Sequence, residues 1–94
     1  MLYVKQSTST EPLGLKIEYG YVIVPCKANT LTKTTVKFKN KYIKVPAVVF
    51  SVLSQDAHRI KGKSVNNLSA TQCDICVYRD NTIDTGVYYI VIGE

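Results

Sequence analysis

Along much of the chain, apolar and polar side chains alternate with a period of two, the repeat of a β-strand with one buried face. Residues 34–39 show it plainly, with Thr34, Val36 and Phe38 set against Thr35, Lys37 and Lys39. Five further runs read as strands. The first is 17–24, where Tyr19, Tyr21 and Ile23 share a face and Pro25 ends the run. The others are 47–53, entered through Pro46; 60–68, with Ile60, Val65 and Leu68; 73–79, with Ile75 and Val77 opposite Cys76 and Tyr78; and 87–92, closed by Gly93. Turn chemistry separates them at Asn29-Thr30, Asn40, Asn66-Asn67, Asp80-Asn81 and Asp84-Thr85-Gly86. No stretch sustains a 3.6-residue period. Short strands at a spacing of about 12 residues predict an all-β domain, an antiparallel sandwich or barrel. Residues 1–16 contain Gln6-Ser7-Thr8-Ser9-Thr10-Glu11-Pro12 and read as a leader or linker from an upstream segment. Residues 17–94 read as a single domain.

Three of the runs are apolar on both faces. Val48, Phe50 and Val52 oppose Ala47, Val49 and Leu53; Val87, Tyr89 and Val91 oppose Tyr88, Ile90 and Ile92; Ile75 and Val77 oppose Cys76 and Tyr78. A two-sheet sandwich needs only one apolar face per strand. The surplus predicts cover by another copy of the chain, with a barrel-like curl as the alternative. The aromatic residues of these strands, Phe50, Tyr78, Tyr88 and Tyr89, are the candidates for that interface.

Composition supports the strand reading. Val, Ile, Thr, Tyr and Phe supply 38 of 94 residues, and Ala and Leu together only 10. A chain of this length buries a modest core and leaves no room for two lobes around a cleft. No apolar run approaches the roughly 18 residues of a membrane span, and Met1-Leu2-Tyr3-Val4-Lys5 is too short for a signal peptide. Three cysteines, Cys26, Cys73 and Cys76, fit a reducing site of synthesis or at most one disulfide. The net charge of +5 is uneven: residues 1–49 hold eight Lys against Glu11 and Glu18, and residues 50–94 hold four basic against five acidic groups. The basic half favours anionic partners such as nucleic acid, a charged polysaccharide or an acidic surface.

Little in the chain can carry catalysis. His58 is the only histidine, and its neighbours Asp56 and Arg59 do not by sequence make a triad. Asp80 and Asp84 could pair as carboxylates, but aspartates in a loop such as 80–84 commonly make turn hydrogen bonds. Cys73-x-x-Cys76 falls in a strand, where an odd separation points the thiols to opposite faces, so neither metal nor redox chemistry is expected. The expectation is a non-enzyme without a cofactor. Lys33, Lys37, Lys39, Lys41 and Lys44, interleaved with Phe38 and Tyr42, read either as a phosphate-tracking groove or as a solvated face. The solvated face is favoured, because only two arginines are present to read bases. Those two stand at strand ends: Arg59 in Gln55-Asp56-Ala57-His58-Arg59, and Arg79 in Tyr78-Arg79-Asp80-Asn81. Arg59, Arg79, Asp80 and Asp56 are candidate contacts for a hydroxyl-rich ligand, with ion pairs Arg59–Asp56 or Arg79–Asp80 as the structural alternative.

The order of these features resembles the H-type lectin domain. Thr35-Val36-Lys37-Phe38-Lys39-Asn40-Lys41-Tyr42 and Val45-Pro46-Ala47-Val48-Val49-Phe50-Ser51 are similar to its "F…Y…P-x-V…S" section, and Val87-Tyr88-Tyr89-Ile90-Val91-Ile92-Gly93 to its closing strand. Tyr19-Gly20, Ala28-Asn29-Thr30 and Tyr78-Arg79-x-Asn81-Thr82 bring it nearest to the C-terminal domains of bacteriophage tail fibres and receptor-binding proteins. The resemblance spans residues 17–94. It implies a six-stranded antiparallel β-sandwich, trimeric, binding cell-surface glycan near the protomer boundaries, in a virion protein made in a host cytoplasm or otherwise extracellular. Arg59 matches an arginine that holds sugar hydroxyls in the animal lectins. Arg79 and Asp80 stand where those lectins carry Trp-His, so their N-acetylgalactosamine preference does not carry over. The closing-strand aromatic, often Trp, is Tyr89. Cys76 matches one half of the animal lectins' disulfide, and Tyr19 occupies the other half. Expected partners are a glycan, an anionic one by charge, two further copies, and an upstream fibre or baseplate protein. A structural trimerisation or capping domain without a glycan site is the alternative, and a basic nucleic-acid-binding barrel stands behind both. Neither nucleic acid nor membrane insertion is expected.

Overall fold

The computed structural model describes residues 14–94. Six strands run in the order β1 Lys16–Cys26, β2 Thr30–Lys37, β3 Ala47–Leu53, β4 Ile60–Asn66, β5 Gln72–Arg79 and β6 Ile83–Gly93, with one 3-10 turn, Ala57–Arg59, before β4. All pairings within the sheets are antiparallel. One sheet has the order β1–β6–β3 and the other β2–β5–β4, so β6 and β5 are central. The two sheets remain separate, a two-layer arrangement rather than a barrel. They meet along one side, where the Thr34 hydroxyl of β2 donates to the Ile23 carbonyl of β1 at 2.7 Å.

Every expected run contains a strand, but β2 ends at Lys37 and not at residue 39, β4 ends at Asn66 and not at residue 68, and three further limits shift outward. β1 continues through Pro25 to Cys26. An edge strand has an unpaired side, so a missing N–H there breaks no ladder bond. β6 starts at Ile83, not Val87, because Cys26, Pro25, Val24 and Ile23 pair with Ile83, Asp84, Thr85 and Gly86. That ladder overrides the turn preference of Asp84-Thr85-Gly86. β2 starts at Thr30, directly after Asn29, whose φ of 56° makes the tight turn from β1. Asn67 makes the same kind of turn after β4, at φ 52°. Asparagine tolerates this left-handed conformation better than most residues. Of the leader expected at 1–16, residues 1–13 lie outside the described residues, and Lys16 already belongs to β1.

The core lies between the sheets. Val24 and Cys26 of β1 and Val87, Tyr89 and Val91 of β6 meet Val36 of β2 and Cys73, Ile75 and Val77 of β5. Phe50 of β3 packs against this cluster from its half-buried position. Phe50 and Tyr89 are thus interior residues, not interface residues: even alternation along β3 and β6 turns both toward the opposite sheet, and Tyr89 is only 8% exposed. Tyr78 lies half-buried on the outward row of β5, beside Gly62, and Tyr88 is exposed on the outward row of β6. At the open side of the sandwich Lys63 of β4 lies over the Phe50 ring, 5.5 Å from its centroid. An inward-leaning lysine on an edge strand discourages addition of a further strand.

The outward faces of the two sheets differ in kind. On β2–β5–β4 the outward rows are mostly polar, with Lys33, Thr35 and Lys37, Asp74, and Ser64 and Asn66, interrupted by Leu31, Cys76 and Tyr78. On β1–β6–β3 the outward rows are Ile17, Tyr19, Tyr21 and Ile23, then Tyr88, Ile90 and Ile92, then Val49 and Leu53, all exposed. Tyr21 and Tyr88 pack ring to ring at 5.0 Å, and Tyr21 reaches over Gly86.

Gly20 is the inward counterpart. It pairs with Tyr89, and a Cβ built there would sit 2.5 Å from the Tyr89 hydroxyl and 2.7 Å from its ring. The ring is held in the core and cannot swing clear. Gly20→Ala is therefore expected to lower stability by about 1–3 kcal/mol, the usual cost of overpacking. Urea denaturation monitored by tyrosine fluorescence checks this, and an unchanged midpoint would contradict the packing of Tyr89 across Gly20.

Candidate functional site

The antiparallel order gives the sandwich two poles. One holds the start of β1, the end of β6 and the 38–46 loop. The other holds the β1–β2 turn, the 3-10 turn and the β5–β6 connection at residues 80–82. Asp56, Arg59, Arg79 and Asp80 all fall at this second pole, away from residue 14. At the corner formed by β4 and β5, Arg59 Nη1 approaches Asp80 Oδ1 at 3.4 Å and Lys61 Nζ approaches Asp80 Oδ2 at 3.8 Å. The backbone secures this corner, since Asp80 N–H donates to the Arg59 carbonyl at 3.2 Å. Arg59 and Lys61 keep about half of their side-chain surface in solvent.

The ion pair differs from both sequence alternatives. Arg59 pairs with Asp80, not with Asp56, whose carbonyl instead accepts from the Arg59 N–H at 2.9 Å and whose side chain stays exposed. Arg79 does not pair with Asp80. It sits on the inward row of β5, is 3% exposed, and donates from Nε to Asn81 Oδ1 at 2.9 Å and from Nη1 to Thr85 Oγ1 at 3.2 Å. Arg79 is therefore corrected from a ligand contact to an internal strut that fixes the 80–82 connection. Lys61 had no signal in the sequence. It reaches the corner because a bulge between Ile60 and Gly62 inserts it out of register with β5.

The first pole is organised by Glu18, a buried carboxylate that sequence reasoning passed over as one of two acids in a basic half. Its oxygens accept the N–H groups of Lys39 at 2.9 Å and Asn40 at 3.0 Å and the Tyr42 hydroxyl at 2.9 Å. Burial alone would raise its pKa. The two backbone donors, the Tyr42 hydroxyl and the Lys39 charge outweigh that and hold it below the ordinary carboxylate value. Phe38 packs edge-on against Tyr42 at 5.6 Å, and Tyr42 is in the core. Both aromatics of the lysine strip thus turn inward, and the strip offers no ring on which a base could stack. Lys33 instead lies 3.5 Å from Asp74, which also accepts from Thr35 at 2.6 Å and Asn67 at 2.8 Å. The Thr35 and Asn67 donors, with Lys33 behind them, hold the Asp74 carboxyl below its ordinary pKa.

Cys26, Cys73 and Cys76 are buried free thiols. Burial, with Asp74 and Cys76 nearby, pushes the Cys73 thiol up to about 11, so it stays protonated and inert near neutrality. Among the described residues no group of three or more His, Cys, Asp or Glu side chains could hold a metal ion, and no helix is long and apolar enough to cross a membrane.

No family model matches the chain, and neither a curated protein nor a solved structure is similar enough to register as a match.

Two outcomes are expected. Glu18 and Asp74 have folded-state pKa values below their unfolded values of about 4.3 and 3.9, so their stabilisation is present above that range and is lost as pH falls through the lower folded values. Denaturant midpoints should therefore fall from pH 6 to pH 3, and less steeply in Glu18→Gln; equal slopes would contradict the role of Glu18. Arg79→Ala should cost about 2–3 kcal/mol by orphaning buried acceptors and leaving a cavity. Arg59→Ala, at an exposed pair, should change stability by no more than about 0.5 kcal/mol. The same denaturation series compares the two.

Proposed function

We propose that this chain is a non-enzymatic adhesion module of the kind found at the tips of phage tail fibres. In this reading it assembles as a homotrimer and binds cell-surface glycan. The observation that carries the reading is the apolar outward face of β1–β6–β3. Tyr19 is 79% exposed and Val49 64%, and neighbours on all three strands are also exposed. At ordinary side-chain areas of roughly 150–250 Å² for the aromatics, the outward rows present on the order of 900 Å² of apolar surface. A soluble monomer rarely exposes a patch above a few hundred Å², and one partner's share of a standard interface is about 800 Å². Another copy is the economical cover, and the H-type lectin resemblance supplies the number three.

The polar corner of Arg59, Lys61 and Asp80, with exposed Asp56 beside it, supplies fixed donors and carboxylate acceptors of the sort that hold sugar hydroxyls. It lies at the pole remote from residue 14, where a segment leading in from a fibre shaft would leave it free. Single-site binding would be weak, with avidity across three copies raising it. The burial of Arg79 favours a second reading, a trimerisation or capping domain without a glycan site, because it removes one of the four expected contacts.

Light scattering should return a mass near three times 10.5 kDa over a range of concentrations. The double variant Tyr19→Lys/Ile90→Lys should fall to the monomer mass while keeping its β-sheet circular dichroism. A monomeric wild type would overturn the assembly. On a glycan array, binding by wild type and its loss in a still-trimeric Arg59→Ala support adhesion; a trimer that binds no glycan supports the capping domain.

A further inference from the structure

We infer that the ligand of the β4–β5 corner is an anionic, hydroxyl-rich polymer, and that Lys61 is the residue selecting for its charge; this rests on the adhesion reading above. Two independent features of the corner point to it.

The first is the bulge. β4 pairs regularly with β5 from Gly62 to Asn66 and then shifts register between Ile60 and Gly62. Without the shift, Lys61 would face Arg79 across the ladder. With it, Ile60 takes that place and Lys61 is released beside Asp80. Bulges bend a strand and re-aim a side chain, and they gather at sheet edges and next to functional sites. Here the result is two cations around one carboxylate. Each keeps donors free: Arg59 spends one N–H of five on Asp80, and Lys61 at 3.8 Å is within ion-pair reach without a hydrogen bond.

The second is Arg79. It is 3% exposed, and its acceptors, Asn81 and Thr85, are both neutral. Among the described residues no carboxylate pairs with it. A buried charge without a counter-ion is weakly screened, so it adds a positive potential to the connection that carries Asp80. Of the acids nearby, Asp56 offsets part of this. Asp84 lies in the other sheet, on the outward row of β6, and Asp56 forms no ion pair. Arg59, Lys61 and Arg79 set against Asp80 and Asp56 thus leave the corner with a surplus of one positive charge and with spare N–H donors. A phosphodiester or carboxylate oxygen can accept from Arg59 and Lys61, while Asp80 and Asp56 accept from neighbouring hydroxyls.

The test uses the full chain immobilised on a biosensor and three soluble probes: poly(glycerol phosphate), polygalacturonate and neutral dextran. One or both anionic polymers should bind, with affinity falling as salt rises from 50 to 300 mM. Lys61→Ala should weaken that binding about tenfold or more, whereas Lys39→Ala/Lys41→Ala at the opposite pole should not. A preference between phosphate and carboxylate is read from the two anionic arms. Binding of dextran as tightly as the polyanions, or a Lys61→Ala variant with unchanged affinity, overturns the inference and leaves the adhesion reading standing. Equal loss in the Lys39→Ala/Lys41→Ala variant also overturns it, because the attraction is then only net charge. A trimer that binds none of these probes, nor any glycan on an array, overturns both.

Discussion

A two-layer fold can cover one face of each of its sheets, and the β1–β6–β3 sheet is apolar on both. The rest of the structure is arranged around that imbalance. The inward rows of β1, β6 and β3 close onto β5 and β2 and take up most of the partner sheet's apolar residues. The partner sheet's own outward rows are then free to be polar, with Lys33, Thr35 and Asp74 tied to one another. Nothing within residues 14–94 is left to cover Ile17, Tyr19, Ile90 or Val49. Hydrophobic burial is the dominant favourable contribution in folding and association alike, so the uncovered sheet is the surface through which the proposed assembly would form.

Buried charges stabilise the parts of the molecule that alternation cannot organise. The 38–46 loop has only scattered backbone partners, Phe38 N–H to the Thr71 carbonyl and Ile43 N–H to the Glu94 carbonyl, and Glu18 adds to them by accepting two more of its N–H groups and the Tyr42 hydroxyl. At the other pole Arg79 does the equivalent for residues 80–82 by donating to Asn81. One is an anion that gathers donors and the other a cation that gathers acceptors, and each ties a strand to a loop at its pole. Substituting either one removes the internal support of its pole, whereas the exposed lysines around them can change with little effect on the fold.

The strands were legible because a period of two survives in nearly every run, and because asparagine marks the left-handed turns at Asn29 and Asn67. The excess of apolar faces was legible too, but its location was not. Tyr88 and Tyr89 are indistinguishable in the sequence, and only the register with Tyr21 and Gly20 shows that one faces solvent and the other the core. Within β1, Tyr19, Tyr21 and Ile23 share a face by sequence, but which side it takes was not legible, because the inward row sets Glu18 and Gly20 among its valines. Arg79 misled for a related reason. A charged residue at a strand end ordinarily reaches solvent, and the burial of Arg79 goes with contacts to Asn81 in the following connection and to Thr85 in β6. The bulge that delivers Lys61 has no local signature beyond Gly62, since it arises from the pairing of two strands.

The two halves of the functional reading differ in what supports them. The proposed assembly rests on area: an apolar sheet face of this size is costly in water whatever the protein does. Recognition follows from position and charge. Arg59, Lys61 and Asp80 belong to the β2–β5–β4 sheet and its turns, so a trimer closed through β1–β6–β3 would leave them outside the interface. The same chain can then bury one sheet against its copies and present a polar corner of the other to a ligand. In a three-fold assembly each such corner would stand at the same pole, opposite the side where residue 14 enters. Weak sites held side by side at a common pole combine their affinities only when a ligand can span them. A repeating polymer meets that condition, and a single small sugar does not.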